Sequence, residues 1–161
     1  MQIIDLSPIW TVLLIIILWP SLQMVAAVLS RRLPDRLFDH NRGIYRCRPW
    51  EKEGKIYKTW FKIRRWKSLL PDGGAIMPGG YAKKHLTDYS TANLEKFLND
   101  SCRAEFSHWL AMTPFWIFGL IGPPVIIVFM LIYALAVNLP CIMAQRFNRP
   151  RIAKFQVTSN K

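Results

Sequence analysis

Two long stretches of this sequence lack charge. No charged side chain occurs from Leu6 to Ser30 or from Trp109 to Gln145, although the chain carries 22 Lys and Arg against 10 Asp and Glu. Acid is scarce, and the cations are confined to the remaining segments. Cysteine is scarce too: Cys47, Cys102 and Cys141 have no metal-ligand spacing, and reduced thiols are the default. Several catalytic signatures are missing. There is no Ser nucleophile elbow, no glycine-rich phosphate loop and no HExxH pair. An HxxxxD signature is excluded because the fifth residue after His40, His85 and His108 is Tyr45, Ser90 and Thr113. Nothing here calls for a metal or a cofactor. Internal repeats and low-complexity tracts are absent, so residues 1–161 are expected to form one membrane-embedded domain.

What is present is apolar. A spanning helix needs about 20 mostly apolar residues to cross roughly 30 Å of hydrocarbon. Residues 6–30 satisfy this as a first crossing. The leader MQIIDL contains Asp5 and no cation, whereas Arg31, Arg32 and Arg36 follow the apolar run. This order is the reverse of a signal peptide and is expected of a retained anchor with its N-terminus outside. The second uncharged run would be roughly 55 Å long as one helix, too long for a single crossing. Gly119, Gly122, Pro123 and Pro124 interrupt it. A Pro-Pro pair stops a helix, so a hairpin is expected: a helix over 92–121 that enters the membrane, then a crossing over 124–145.

The cations set the orientation. Residues 31–93 carry 15 Lys and Arg and 6 Asp and Glu, and the tail from Arg146 to Lys161 carries 5 cations and no acid. Cationic segments stay in the cytoplasm. Residues 31–91 and 146–161 are thus expected inside, and the Pro-Pro turn outside. The expected class is an all-α multi-pass protein of the cell membrane with about three transmembrane helices. A net charge of +12 placed where the positive-inside rule puts it does not argue for nucleic acid. The lipid bilayer and its anionic headgroups, or a phosphate-bearing substrate, are the expected partners.

Between the apolar runs the chain is punctuated by Pro34, Asn41-Arg42-Gly43 and Pro49. The periodicity of the stretch KIYKTWFKIRRWKSLL does not separate helix from strand, but its mixture of Trp, Phe and Tyr with Lys and Arg suits a headgroup region, and an interfacial helix is the favoured reading there. Ser90 or Thr91 is a helix-start candidate, with the helix proper from about Ala92.

Length points to a site. Trp109 to Ile121 is only about 20 Å of helix. Three arrangements accommodate this: a thinned bilayer, a shallow re-entrant helix, or a helix that extends back through His108, Glu105 and Arg103, which places ionisable groups at the membrane boundary. Glu105 and His108 are three apart and share a helix face, so the carboxylate could orient an imidazole that acts as general base. The bland alternative is a polar boundary with no chemistry. His85 and Asp88 are the competing pair, in a polar loop; His40 beside Asp39 is weaker. The tail motif QRFNRPR places Arg146, Asn148, Arg149 and Arg151 below the last crossing. It reads either as topogenic charge or as phosphate recognition by guanidinium forks. Arg103 and Trp109 complete the substrate-binding candidates.

Six stretches lie in one order along the chain: Arg32-Leu33-Pro34-Asp35; Trp60-Phe61-Lys62-Ile63-Arg64-Arg65-Trp66-Lys67; Asp72-Gly73; His85-Leu86; Arg103-Ala104-Glu105-Phe106-Ser107-His108-Trp109; and Asn138-Leu139-Pro140 through Gln145-Arg146-Phe147-Asn148-Arg149-Pro150-Arg151. In these the chain resembles the glycosyl-diaponeurosporenoate acyltransferase family of staphyloxanthin-type carotenoid biosynthesis. The resemblance implies a small multi-pass membrane enzyme. It would move a fatty acyl group from an activated donor, acyl-CoA or acyl-carrier protein, to a sugar hydroxyl of a membrane glycolipid. The alternatives are a non-enzymatic membrane subunit of a lipid-pathway complex, or another lipid-modifying enzyme such as a methyltransferase.

Overall fold

The computed structural model describes residues 3, 4, 6–70 and 89–159. Among them every regular element is helical: α1 (Pro8–Arg32), α2 (Lys55–Thr59), α3 (Thr91–Met112) and α4 (Val125–Ser159), joined by short 3-10 turns and a longer 3-10 helix over Thr113–Leu120. Arg31 and Arg32 fall in the last turn of α1, where cations meet the negative end of the helix dipole. The first turn of α3 closes with Leu94 N–H donating to the Ser90 carbonyl at 2.9 Å, so the helix starts where its N-cap candidates place it.

Three elements differ from expectation. The helix expected over 92–121 ends as an α-helix at Met112. Pro114 sits in the first turn of the 3-10 helix that follows, where its missing N–H and fixed φ fit a helix start better than a helix interior. The last helix starts directly after Pro123-Pro124, as expected, but runs through Pro140 and Pro150 to Ser159. The segment 146–161, read as a tail, is therefore largely a continuation of that helix. The interfacial helix expected after Lys55 is only α2 and two 3-10 turns. Lys62 adopts φ 48°, a left-handed conformation that an α-helix cannot pass through.

α1 and the Val125–Val157 stretch of α4 are long and apolar enough to cross a membrane, with mean hydropathy of 2.4 and 2.6. Only 11% and 22% of their apolar windows is buried, so most of this surface is open rather than packed into a core.

The chain divides into two compact units, Met1–Arg32 with Phe106–Leu139, and Leu33–Glu105 with Pro140–Lys161. In the first unit, Trp19 is buried and meets Phe118 at 6.0 Å and Tyr133 at 5.4 Å between ring centroids. Aromatic pairs at such spacings add to the area they bury. Gln23 Nε2 donates to the Ala111 carbonyl at 3.0 Å. Gly119 lies so close to Ile127 that a Cβ there would come within 2.4 Å of its side chain.

The second unit has a core of Tyr57, Ile63, Ala144 and Phe147, with Ile56, Trp66, Leu70 and Met143 packed against it. Phe38, Leu94, Phe97 and Leu98 are also buried there. Gly54 holds the N-cap of α2 at φ 82°, and a Cβ on it would sit 3.2 Å from the Phe147 carbonyl oxygen. Both the backbone conformation and the close approach favour glycine.

Candidate active-site residues

The second unit contains a buried charge network. Arg146 and Arg149 are three apart on α4 and so share a face. Opposite them on α3 is Glu105, which is fully buried. Its Oε1 accepts from Arg146 Nε at 2.8 Å and Nη2 at 2.7 Å, and its Oε2 accepts from Arg149 Nη2 at 2.6 Å. Arg149 also donates to the carbonyls of Tyr45 at 2.9 Å and Ser101 at 3.2 Å. Arg146 Nη1 reaches Glu51 Oε1 at 2.9 Å, and Arg146 Nη2 donates to the Ile44 carbonyl. Glu51 is itself buried and accepts from the Tyr57 hydroxyl at 2.5 Å and the Arg48 backbone N–H at 2.6 Å. Two carboxylates thus balance two guanidiniums.

The electrostatics follow from burial and these bonds. Burial works to raise the Glu51 pKa, but hydrogen bonds from Tyr57, the Arg48 backbone and Arg146 outweigh it and hold the carboxyl below its ordinary value. Tyr57 is pushed up by burial and then by Glu51, so it remains a donor. Tyr45 is pushed up to about 12, first by burial and then by Cys102 and Glu105.

Arg103, a sequence candidate for substrate binding, braces this unit from within. Its guanidinium lies 4.3 Å from the Phe38 ring centroid, donates to the Leu33 carbonyl at 2.8 Å and pairs with Asp35. Asn148 and Arg151 face elsewhere. Asn148 Oδ1 accepts from Lys67 Nζ at 3.1 Å, and the Arg151 guanidinium stacks 3.7 Å over Phe147. A cleft of about 520 Å³ opens beside the network, lined by His40, Tyr45, Cys47, Arg146, Arg149 and Lys154 among others. His40 is held below its ordinary pKa, first by burial and then by Arg149, against the pull of Asp39 and Glu95. It therefore favours the neutral form.

The first unit holds the other candidate. His108 on α3 is half-buried, and its Nδ1 lies 2.9 Å from Asn138 Oδ1 on α4. The Asn138 amide is oriented by its other end: Nδ2 donates to the Ala134 carbonyl at 3.0 Å. A carbonyl only accepts, so the NH₂ must face Ala134 and the amide oxygen must face His108. Nδ1 is then the donor, and the neutral ring carries its lone pair on Nε2. Sequence reasoning expected Glu105 to orient His108. The structure provides Asn138 at Nδ1 and commits the Glu105 oxygens to Arg146 and Arg149. Asn138 was not singled out as a site residue. The available signal was an amide side chain inside the uncharged run from Trp109 to Gln145, where an amide needs a partner once it is buried, as Asn138 is. Trp109 is exposed. His85 and Asp88 lie outside the described residues.

The family model for glycosyl-4,4'-diaponeurosporenoate acyltransferase matches residues 41–157. Relatives of that name from Staphylococcus aureus strains USA300 and NCTC 8325 / PS 47 are 35% identical over 136 residues, which is 84% of this chain and 82% of theirs. That of strain bovine RF122 / ET3-1 is 34% identical over the same length. The chain belongs to the glycosyl-4,4'-diaponeurosporenoate acyltransferase family. No solved structure matches it. The family and its relatives carry the names of acyltransferases, which makes this chain an acyltransferase. Glu51, Glu105, His108, Asn138, Arg146 and Arg149 all fall within the span that matches the acyltransferase model, whereas His40 lies just before it.

Proposed function

We propose that this chain is a multi-pass membrane acyltransferase. It moves a fatty acyl group from a thioester donor, acyl-CoA or acyl-carrier protein, to a sugar hydroxyl of a membrane glycolipid of the glycosylated-carotenoid type. Family membership supports the reaction class and acceptor. Two open apolar helices and the concentration of 20 of the 22 cations in 31–93 and 146–161 support a cell-membrane location. The N-terminus and the Pro123-Pro124 turn face outward, and the basic segments face the cytoplasm. Cysteines placed at Gly122 and Lys55 test this: Gly122 is labelled in intact cells by an impermeant reagent and Lys55 is protected, and the reverse pattern overturns the topology.

The observation that carries the mechanism is the His108–Asn138–Ala134 relay, which sets the imidazole tautomer. His108 Nε2 takes the proton of the acceptor hydroxyl as its oxygen attacks the thioester carbonyl. The C–O bond forms, the C–S bond breaks, and the departing thiolate receives the proton from His108. Asn138 is a positioning residue, and Glu105 acts through the arginines it holds.

The test is acyl transfer by purified variants in lipid, with thermal unfolding measured alongside. His108→Ala lowers kcat by about 10²–10⁴ without loss of the unfolding transition. Asn138→Leu lowers kcat more than it raises KM, because it releases the tautomer rather than a substrate contact. Near-wild-type turnover by His108→Ala overturns the assignment of the base.

A further inference from the structure

The RFNRPR motif presents its cations in two directions. Arg146 and Arg149 are neutralised by Glu105 and Glu51. Arg151 is not. Its guanidinium stacks 3.7 Å from the centroid of the Phe147 ring, a core ring with no exposure of its own. The ammonium of Lys67 lies 5.2 Å from the same centroid and is tethered to Asn148 Oδ1 at 3.1 Å. One aromatic ring therefore seats two cations. Arg64, one 3-10 turn before Lys67, adds a third: both Arg151 and Arg64 push the Lys67 ammonium below its ordinary value, after burial itself. Among the described residues none of the three makes an ion pair.

Like charges held together without acid destabilise a fold unless something else is gained. A phosphate group answers this arrangement. It brings negative charge and several acceptor oxygens, enough for a planar guanidinium fork, an ammonium and a second guanidinium at once. Beside the cluster, Trp60, Phe61 and Leu69 are exposed, so apolar surface and cations alternate along one segment.

We propose that Arg64, Lys67 and Arg151 form a phosphate-binding site, with Phe147 seating the two inner cations and Asn148 holding the Lys67 ammonium. The phosphate is carried either by a soluble nucleotide-bearing donor or by an anionic lipid headgroup. The site is read by binding alone and so stands or falls apart from the acyl-transfer chemistry.

The experiment uses the full chain, purified in a neutral detergent at low salt. It is titrated with adenosine 3',5'-bisphosphate and, separately, with short-chain phosphatidylglycerol, against phosphatidylcholine of the same chain length. At least one phosphate probe binds and raises Tm well beyond phosphatidylcholine. Lys67→Gln and Arg151→Gln each weaken that binding about tenfold, whereas Arg42→Gln, an exposed cation already in an ion pair with Asp39, leaves it unchanged. Arg64 is exposed, so Arg64→Gln carries the test if either other variant unfolds, with a severalfold loss expected. Binding of the bisphosphate alone identifies a soluble donor, and binding of phosphatidylglycerol alone identifies a headgroup; each supports the site. It is overturned if neither probe exceeds phosphatidylcholine, or if the folded variants bind as wild type does.

Discussion

Arg149 and Arg151 stand two residues apart on one helix and live in different physical worlds. Arg149 is 4% exposed, donates to a carboxylate and two carbonyls, and lies in a network whose charges cancel. Arg151 is half-buried, rests on an aromatic face, and has cations for neighbours. On a helix two positions differ by about 200°, so a repeated Arg at that spacing cannot serve one site. The first face is built to be closed and the second to be filled. The lesson is that a basic motif is not a unit of function: acid partners elsewhere in the chain decide which of its cations remain open to a ligand.

The contrast predicts its own ways of failing. The largest effect belongs to Glu105→Gln, which leaves Arg146 and Arg149 facing each other without their shared carboxylate. Removing one partner of a buried pair costs about 3–5 kcal/mol, so the variant should unfold far below wild type or fail to accumulate. An unchanged Tm would show that the network is not closed. Next, Arg149→Lys loses the planar fork that reaches Glu105, Tyr45 and Ser101, and should cost about 1.5–3 kcal/mol in denaturant unfolding. Arg151→Lys should change stability by less than about 0.5 kcal/mol. Equal costs for the two would erase the distinction between the faces.

Gly54→Ala comes third. It forces a Cβ into the left-handed region and against the Phe147 carbonyl, and a loss of about 1–2 kcal/mol is expected in the same assay. The smallest effect is acid sensitivity. His40 has a folded pKa below its ordinary 6.5, so the unfolded chain binds the proton more readily. Stability therefore falls as pH drops through about 6.5, and His40→Gln should flatten Tm between pH 7 and 5.5. Glu51 acts in a separate window. Its lowered pKa contributes stability that is present above 4.5 and lost as pH falls below it, so a His40 variant should keep the steeper drop under pH 4.5.

Much of the architecture was legible because it depends on neighbours in sequence. The uncharged runs mark α1 and α4, Pro123-Pro124 marks the start of α4, and Ser90-Thr91 marks the start of α3. The order of short motifs carried the family, which the matched span then established. Helix ends were harder to read. Pro150 did not stop α4, since a helix with packed faces can absorb a missing N–H, whereas Lys62 broke the expected interfacial helix without any Pro or Gly to announce it.

The sequence by itself determined where charge is absent, where helices begin and which residues could do acid–base work, because composition, capping and spacing act over a few residues. Only the tertiary structure decided the partners. Glu105 meets Arg149 across 44 positions and His108 meets Asn138 across 30. The three-residue spacing of Glu105 and His108 is compatible with a mutual contact, but a carboxylate gains more from two guanidiniums than from a neutral imidazole. An imidazole at the edge of an uncharged run takes Asn138, a buried amide within that run. Pairings of that kind are settled by which charges fold together, and no local pattern encodes them.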